Sequence, residues 1–142
     1  MGCIVCAIRG GEDSRRTEER AIGLARARGD ELAFVFVADT TSLPPIREPL
    51  ADVVADELER LGRSLLGIVL ARAREQGLAA QSVVRRGAVW QTLTSFLIEV
   101  HATTLVMGAP HAHAPSRGFS LEQVHAFADN VRAMGIEVVI VE

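Results

Sequence analysis

The fold is decided between residues 3 and 39, which read CIVCAIRGGEDSRRTEERAIGLARARGDELAFVFVAD. Unbroken apolar runs at residues 3–8 and 32–37 are typical of strands buried on both faces of a parallel sheet. Between them, two glycines and a capping side chain at Asp13 or Ser14 precede an amphipathic segment that ends at Gly29. The stretch therefore predicts a strand, a helix and a second, parallel strand.

The rest of the chain continues this alternation. Two further helices are predicted over residues 50–76 and 89–100, and a last one follows Ser120. Three further strands are predicted over residues 78–84, 104–107 and 136–141. Five strands alternating with four helices predict one α/β domain over residues 1–142, a three-layer α/β/α architecture in which helices cover both faces of a doubly wound, five-stranded parallel sheet.

Each predicted helix carries an apolar face that can pack on the sheet. In the longest helix this face comprises Val53, Val54, Leu58, Leu61, Leu65, Leu66, Val69 and Leu70. In the last two helices it comprises Trp90, Leu93, Phe96 and Leu97, and then Leu121, Val124, Phe127, Ala128 and Val131. Ser120 and Gln123 have the spacing of a capping box at the start of the last helix.

Composition excludes several classes of function. The 142 residues are 49% apolar, which suits one domain with a buried core. The net charge is −3, with no Tyr and one Trp, so the basic and aromatic surface typical of nucleic-acid binding is missing. No apolar run is long enough to cross a bilayer, and no basic segment precedes the first run. We therefore expect a cytoplasmic protein that binds neither nucleic acid nor membrane.

Cys3 and Cys6 have the C-x-x-C spacing of a redox motif. Redox motifs of this kind gain thiolate stability from a helix N-terminus, whereas these two residues lie inside a predicted strand. We therefore interpret both cysteines as small core residues.

Two stretches resemble the universal stress protein family. Residues 6–39 resemble its opening of a strand, an Asp-Gly-Ser turn, a helix and a second strand. RRGAVWQTLTSFLIEVHATTLVMGAP, residues 85–110, resembles its second half, where Gly87 opens a helix and LVMG ends the fourth strand. The resemblance covers nearly the whole chain. It implies an adenine-nucleotide alpha-hydrolase-like fold and a dimer, and it implies that the chain either binds ATP or acts through protein contacts.

The resemblance also implies where ATP would bind. In ATP-binding members an Asp ends the first strand, and the matching residue here is Arg9. After the fourth strand those members have Gly, two residues, Gly, nine residues, then Gly and Ser or Thr. Gly108 matches the first glycine, but the second falls on His111 and the third on Leu121. The usual ATP motif is therefore degraded in this chain.

The loop after the fourth strand is also less suited to binding phosphate than the glycine-rich loop of ATP-binding members. Pro110 and Pro115 each lack a backbone N–H and fix φ, whereas phosphate loops depend on converging N–H groups. An imidazole at His111 occupies space where the family brings backbone close to phosphate. A shorter spacing still offers Gly118 and Ser120. We therefore predict that ATP is not bound in the usual way.

The candidate cleft lies between the ends of the first and fourth strands and comprises Arg9, Gly10, Gly11, Asp39, Gly108, Ala109, His111, Gly118 and Ser120. In one interpretation it binds a nucleotide such as ATP or AMP, or phosphate, through Arg9, the glycine amides and a helix N-terminus. In the other, Arg9 fills the cleft and pairs with an acidic neighbour such as Asp39, and the glycines serve only the turn. Both interpretations remain open.

Two further features of the loop have alternative interpretations. His111 and His113 form an H-x-H pair that suits half of a zinc site, but no cysteine or carboxylate stands nearby in sequence, so we predict solvated histidines and no metal. The segment from Ser116 through Arg117 to Ser120 suits either an anion site or a helix cap beside a solvated arginine.

No nucleophile stands next to a base in the sequence, which favours a non-enzymatic protein over a nucleotide hydrolase. The last strand, EVVIVE at residues 137–142, is a candidate edge strand whose apolar residues need cover. We therefore predict a homodimer that pairs through this strand and acts through a protein partner in stress response or regulation.

Overall fold

A computed structural model describes residues 2–9, 13–41, 49–110 and 120–142. Its elements alternate as predicted: β1 (Cys3–Ala7), α1 (Asp13–Arg28), β2 (Glu31–Ala38), α2 (Leu50–Glu75), β3 (Gln81–Arg86), α3 (Val89–Glu99), β4 (Thr104–Gly108), α4 (Leu121–Ala133) and β5 (Glu137–Val141). None of these helices is both long enough and apolar enough to span a membrane.

The five strands form one sheet in the order β3-β2-β1-β4-β5, and every neighbouring pair is parallel. From the central strand β1 the chain winds outward through β2 and β3, and then returns to wind the other way through β4 and β5. Helices α1 and α2 cover one face of the sheet, and α3 and α4 cover the other. The predicted doubly wound α/β fold is therefore confirmed.

Alternate residues of β1 enter two separate cores. Val5 packs with the α3 and α4 side chains, whereas Ile4 and Cys6 pack with those of α1 and α2. Cys6 is fully buried, and burial raises the pKa of its thiol far above the ordinary value. Cys3 is partly buried, and its thiol pKa is also raised by burial. Both thiols therefore stay protonated near neutral pH, in keeping with a structural role.

The predicted apolar faces of α2 and α4 were partly wrong. Val53 and Leu61 are 53% and 51% exposed, and Leu121 of α4 is 51% exposed. The α2 face that packs on the sheet includes small residues instead: its buried positions are Ala55, Gly62, Leu66, Val69 and Ala73. A Cβ added at Gly62 would lie 2.3 Å from Cδ1 of Phe36, so a glycine lets the long helix approach β2 closely.

Strand β3 begins and ends later than predicted. It runs over Gln81–Arg86 because its parallel register with β2 continues to the pair Ala38↔Arg86. The two arginines at the end of the strand are paired with carboxylates. Arg85 donates to Glu99 of α3, and Arg86 donates to Asp56 and Glu59 of α2. Helix α1 begins at Asp13, so Ser14 lies inside its first turn, and the predicted cap at Asp13 or Ser14 stays a prediction.

Local signals set three of the helix ends as predicted. Ser120 accepts a hydrogen bond from the Gln123 N–H, and the Gln123 side chain accepts one from the Ser120 N–H, which confirms the capping box. Gly29 and Gly135 follow α1 and α4 with positive φ, which glycine adopts without steric cost. Helix α3 is followed instead by His101 at φ 54°, a conformation that the sequence does not signal.

Candidate functional site

A crevice opens between the carboxyl ends of β1 and β4. The last paired residues of these two strands are Cys6 and Val106. Beyond them, the Ile8 N–H donates to the Val35 carbonyl on β2 (2.9 Å), whereas the Ala109 N–H donates to Val141 on β5 (2.8 Å). The two central strands therefore diverge where strand order reverses, which is the usual ligand position in open α/β sheets.

The side chain of Arg9 bridges this crevice. Its Nη2 donates to the Gly108 carbonyl oxygen at 2.9 Å, joining residues 99 apart in sequence. Because the donor is charged, this bond is stronger than one between neutral groups. The structure therefore places a partly buried guanidinium at the switch point of the sheet, and it brings together two of the predicted site residues.

Gly108 is required by packing at this point. A Cβ added there would lie 2.9 Å from Oγ1 of Thr17 and 3.5 Å from Nη2 of Arg9. Thr17 lies on α1 and is buried. The close approach of α1 to β4 therefore explains this glycine without any ligand. Sequence reasoning missed Thr17, although its four-residue spacing from buried Ala21 indicates the same helix face.

The Asp39 side chain hydrogen-bonds the N-terminal end of α3. Its Oδ2 accepts from the Val89 N–H at 2.9 Å, and its Oδ1 accepts from the Thr41 N–H at 2.7 Å. A carboxylate here satisfies one of the unpaired N–H groups of the first helical turn and interacts favourably with the helix dipole. Asp39 thus links β2 to α3 beside the crevice, and its predicted pairing with Arg9 stays a prediction.

The other predicted site residues are distributed as follows. Ala109 extends β4 against β5 through its N–H, and Ser120 caps α4. Eight of the loop residues singled out from the sequence lie outside the described residues: Gly10, Gly11, His111, His113, Pro115, Ser116, Arg117 and Gly118. Within the described ranges, no group of three or more His, Cys, Asp or Glu side chains could hold a metal ion.

Trp90 on α3 and Arg86 on β3 each contact a residue of another helix. The Trp90 ring packs on Phe127 of α4 with a centroid distance of 4.7 Å, which supports the prediction that Trp90 lies on the apolar face of its helix. Arg86, at the end of β3, donates to Glu59 through Nε and Nη2 and to Asp56 through Nη2, which ties the strand to α2. Sequence reasoning gave Arg86 no structural role, because its partners lie about 30 residues away.

Comparison with known proteins gives one family. A sequence model of the universal stress protein family matches residues 1–131. The chain belongs to the universal stress protein family. Curated protein sequences give no match.

Solved structures of the universal stress protein family share the fold of this chain. One, a family member from Burkholderia pseudomallei, has 21% identity and a TM-score of 0.74, with 99% of this chain and 95% of that chain covered. UspA from Lactobacillus plantarum has 12% identity and a TM-score of 0.78, with coverage of 99% and 97%. A universal stress protein in complex with cAMP has 23% identity and a TM-score of 0.69, with coverage of 99% and 97%.

Proposed function

We propose that this universal stress protein is a non-enzymatic, cytoplasmic protein of one domain that does not bind ATP in the usual way. It acts as a homodimer, paired through β5, and through a protein partner in stress response or regulation. The partly exposed apolar residues of this edge strand support the dimer, because an unpaired apolar edge is covered when a second copy pairs with it.

The observation that carries this proposal is the bond from Arg9 to the Gly108 carbonyl across the crevice. A nucleotide seated between β1 and β4 would have to displace the guanidinium. Loss of a hydrogen bond to a charged group costs about 1.5–3 kcal/mol. In addition, Asp39 already occupies the first-turn N–H of Val89, and Pro110 lacks an N–H that could point at a phosphate.

A second candidate function is a nucleotide- or anion-binding module of altered specificity. It is favoured by the same guanidinium, because arginine binds phosphate groups with a planar fork of N–H donors. A family structure in complex with cAMP supports a nucleotide as the class of ligand. In this alternative Arg9 would turn from Gly108 toward a phosphate.

Thermal unfolding with ATP, AMP, cAMP and inorganic phosphate tests both candidates. A ligand at a hundred times its Kd adds about 2.7 kcal/mol of stability, which raises the Tm by roughly 5–10 °C in a domain of this size. We expect no rise with any of the four compounds. A rise with the nucleotides would contradict the proposal, and a rise with phosphate as well would favour the anion-binding module.

Two variants test whether Arg9 is the residue that prevents ATP from binding. Arg9→Asp removes the bridge to Gly108 and supplies the carboxylate that ATP-binding relatives have at this point, so we expect it to gain a Tm response to ATP. Arg20→Asp is the matched control, because Arg20 is exposed on α1 and the substitution changes the net charge equally. A response of both variants would indicate a general charge effect, and a response of neither would show that Arg9 does not close the site.

A further inference from the structure

An exposed apolar strip runs along the outer side of α2. It consists of four side chains that are each at least half exposed: Leu50 (56%), Val53 (53%), Leu61 (51%) and Ile68 (51%). Leu61 and Ile68 lie 11 and 18 residues after Leu50, which is about three and five helical turns, so these positions share one side of the helix. We call these four residues the α2 ridge.

The α2 ridge lies outside the face of α2 that packs on the sheet. The buried positions of α2, which include Gly62, Leu66 and Val69, point toward the sheet instead. Single exposed apolar residues are common on protein surfaces, but a strip over five turns of one helix is typical of helix pairing. Ser64, Gly67 and Ala71 are exposed between and beyond the ridge residues, and their small size allows another helix to approach closely.

The charges on α2 indicate which helix fits. Its first half, residues 50–61, carries four carboxylates and one guanidinium, a net charge of −3. Its second half, residues 62–75, carries three guanidinium groups and one carboxylate, a net charge of +2. A second copy of α2 in the antiparallel direction would place acidic half against basic half, and it would also align the two helix dipoles favourably.

One register satisfies both the apolar and the charged positions. Leu61 and Ile68 have their midpoint between residues 64 and 65, and Glu57 and Arg72 have the same midpoint. A twofold axis there sets Leu61 against Ile68 of the second copy, and Glu57 against Arg72. The Glu57 side chain is 63% exposed. The Arg72 side chain bonds Glu18 and is still 37% exposed, so both side chains are accessible to a second copy.

We propose that α2 pairs antiparallel with α2 of a second copy, through the α2 ridge, about a twofold axis near Ser64. This interface is separate from pairing through β5. Helix α2 packs over β2 and β3, at one side of the sheet, whereas β5 is the opposite edge. Two such interfaces on one chain assemble particles larger than a dimer.

Disulfide formation between two single-cysteine variants tests the geometry. Leu61→Cys and Ile68→Cys are each made in a Cys3→Ser background, mixed and oxidised, and the products are mapped by mass spectrometry. We expect the mixed disulfide to form at least about ten times faster than in a control mixture of Leu61→Cys with Ile98→Cys, because pairing raises the local concentration of the two thiols. Equal rates, or a predominance of 61–61 and 68–68 disulfides, would overturn the proposal.

Light scattering over a range of protein concentrations tests the association itself. Leu61→Glu and Ile68→Glu each bury a carboxylate in the proposed seam, so we expect each to lower the association constant at least about tenfold. Ile98→Glu is the matched control, since Ile98 is 57% exposed on α3, and it should leave the mass unchanged. An unchanged mass in both ridge variants would show that the ridge does not bind a second copy, whatever the state of β5.

Discussion

At the scale of single residues, two glycines five positions apart in α2 have opposite surroundings. A Cβ at Gly67 would meet nothing within 4 Å, whereas a Cβ at Gly62 would meet three atoms of the Phe36 ring within 3 Å. Glycine lowers helix stability relative to alanine wherever no contact requires it. Gly62 therefore serves the packing of α2 on β2, and Gly67 contributes nothing to the packing of this chain.

Replacing each of these two glycines with alanine should change the free energy of unfolding in opposite directions. We expect Gly67→Ala to raise the free energy of unfolding by about 0.5–1 kcal/mol and Gly62→Ala to lower it by about 1–3 kcal/mol, because the ring must shift. Urea unfolding of the purified variants measures both. Gly23→Ala on α1 is a control in open space and should also stabilise. Equal stability of the two α2 variants would contradict the packing assigned to Gly62.

At the scale of elements, α1 is fastened to the amino ends of β4 and β5. Arg28 Nη1 and Nη2 donate to the two carboxylate oxygens of Glu137, at 2.8 and 3.3 Å, and Nη1 also donates to Thr104 Oγ1 at 3.3 Å. The bonds from Arg28 hold the pKa of the Glu137 carboxyl below its ordinary value. The last turn of α1 is thereby tied to two strands of the sheet, on the side opposite the crevice.

Glu137→Gln should reduce stability in a pH-dependent way. A carboxyl whose pKa is lowered by folding stabilises the protein above its unfolded pKa, and this contribution is lost as the pH falls through the folded value. We expect the variant to unfold at lower urea than the wild type at pH 7, with the difference beginning to shrink below about pH 4.3 and disappearing as the pH falls through the lower, folded pKa of Glu137. Glu75→Gln, at the exposed end of α2, is the control. A constant difference across this range would contradict the assigned ion pair.

At the scale of the whole molecule, the open edge of β5 is partly covered by the chain itself. Glu137 donates its N–H to Thr103, and Val141 accepts from Ala109, so these alternate residues face β4. Val138 and Ile140 therefore direct their backbone groups to the open edge. One of those groups, the Val138 carbonyl, accepts a bond from Arg132 Nη2 at 3.1 Å. A second copy that paired with β5 at this residue would have to displace Arg132.

Arg132→Met should therefore strengthen pairing through β5. The methionine keeps an apolar stem but leaves the Val138 carbonyl open to a partner strand. We expect the dimer to form at a lower concentration than in the wild type, as measured by sedimentation, and the Val138 and Ile140 amides to gain protection from hydrogen exchange as the dimer forms. Arg20→Met is the control for the lost charge.

The opposite edge of the sheet gives a reference in the same experiment. On β3, Gly87 donates its N–H to Ala38, so the alternate residues Ser82 and Val84 face away from β2. Their amides should exchange at a rate that does not depend on the concentration of protein. Concentration-dependent protection at β3, and none at β5, would contradict pairing through the last strand.

The sequence by itself determined the order of the elements, the parallel sheet and most helix ends. These follow from signals between residues close in the chain: apolar runs, the capping box of Ser120 and Gln123, and glycines at positive φ. Tertiary structure alone decided that Gly62 rather than Leu61 of α2 faces the sheet, that β3 runs on to Arg86, and that Arg9 bridges to Gly108. Each of these depends on a partner far away in sequence, and local periodicity carries no information about such partners.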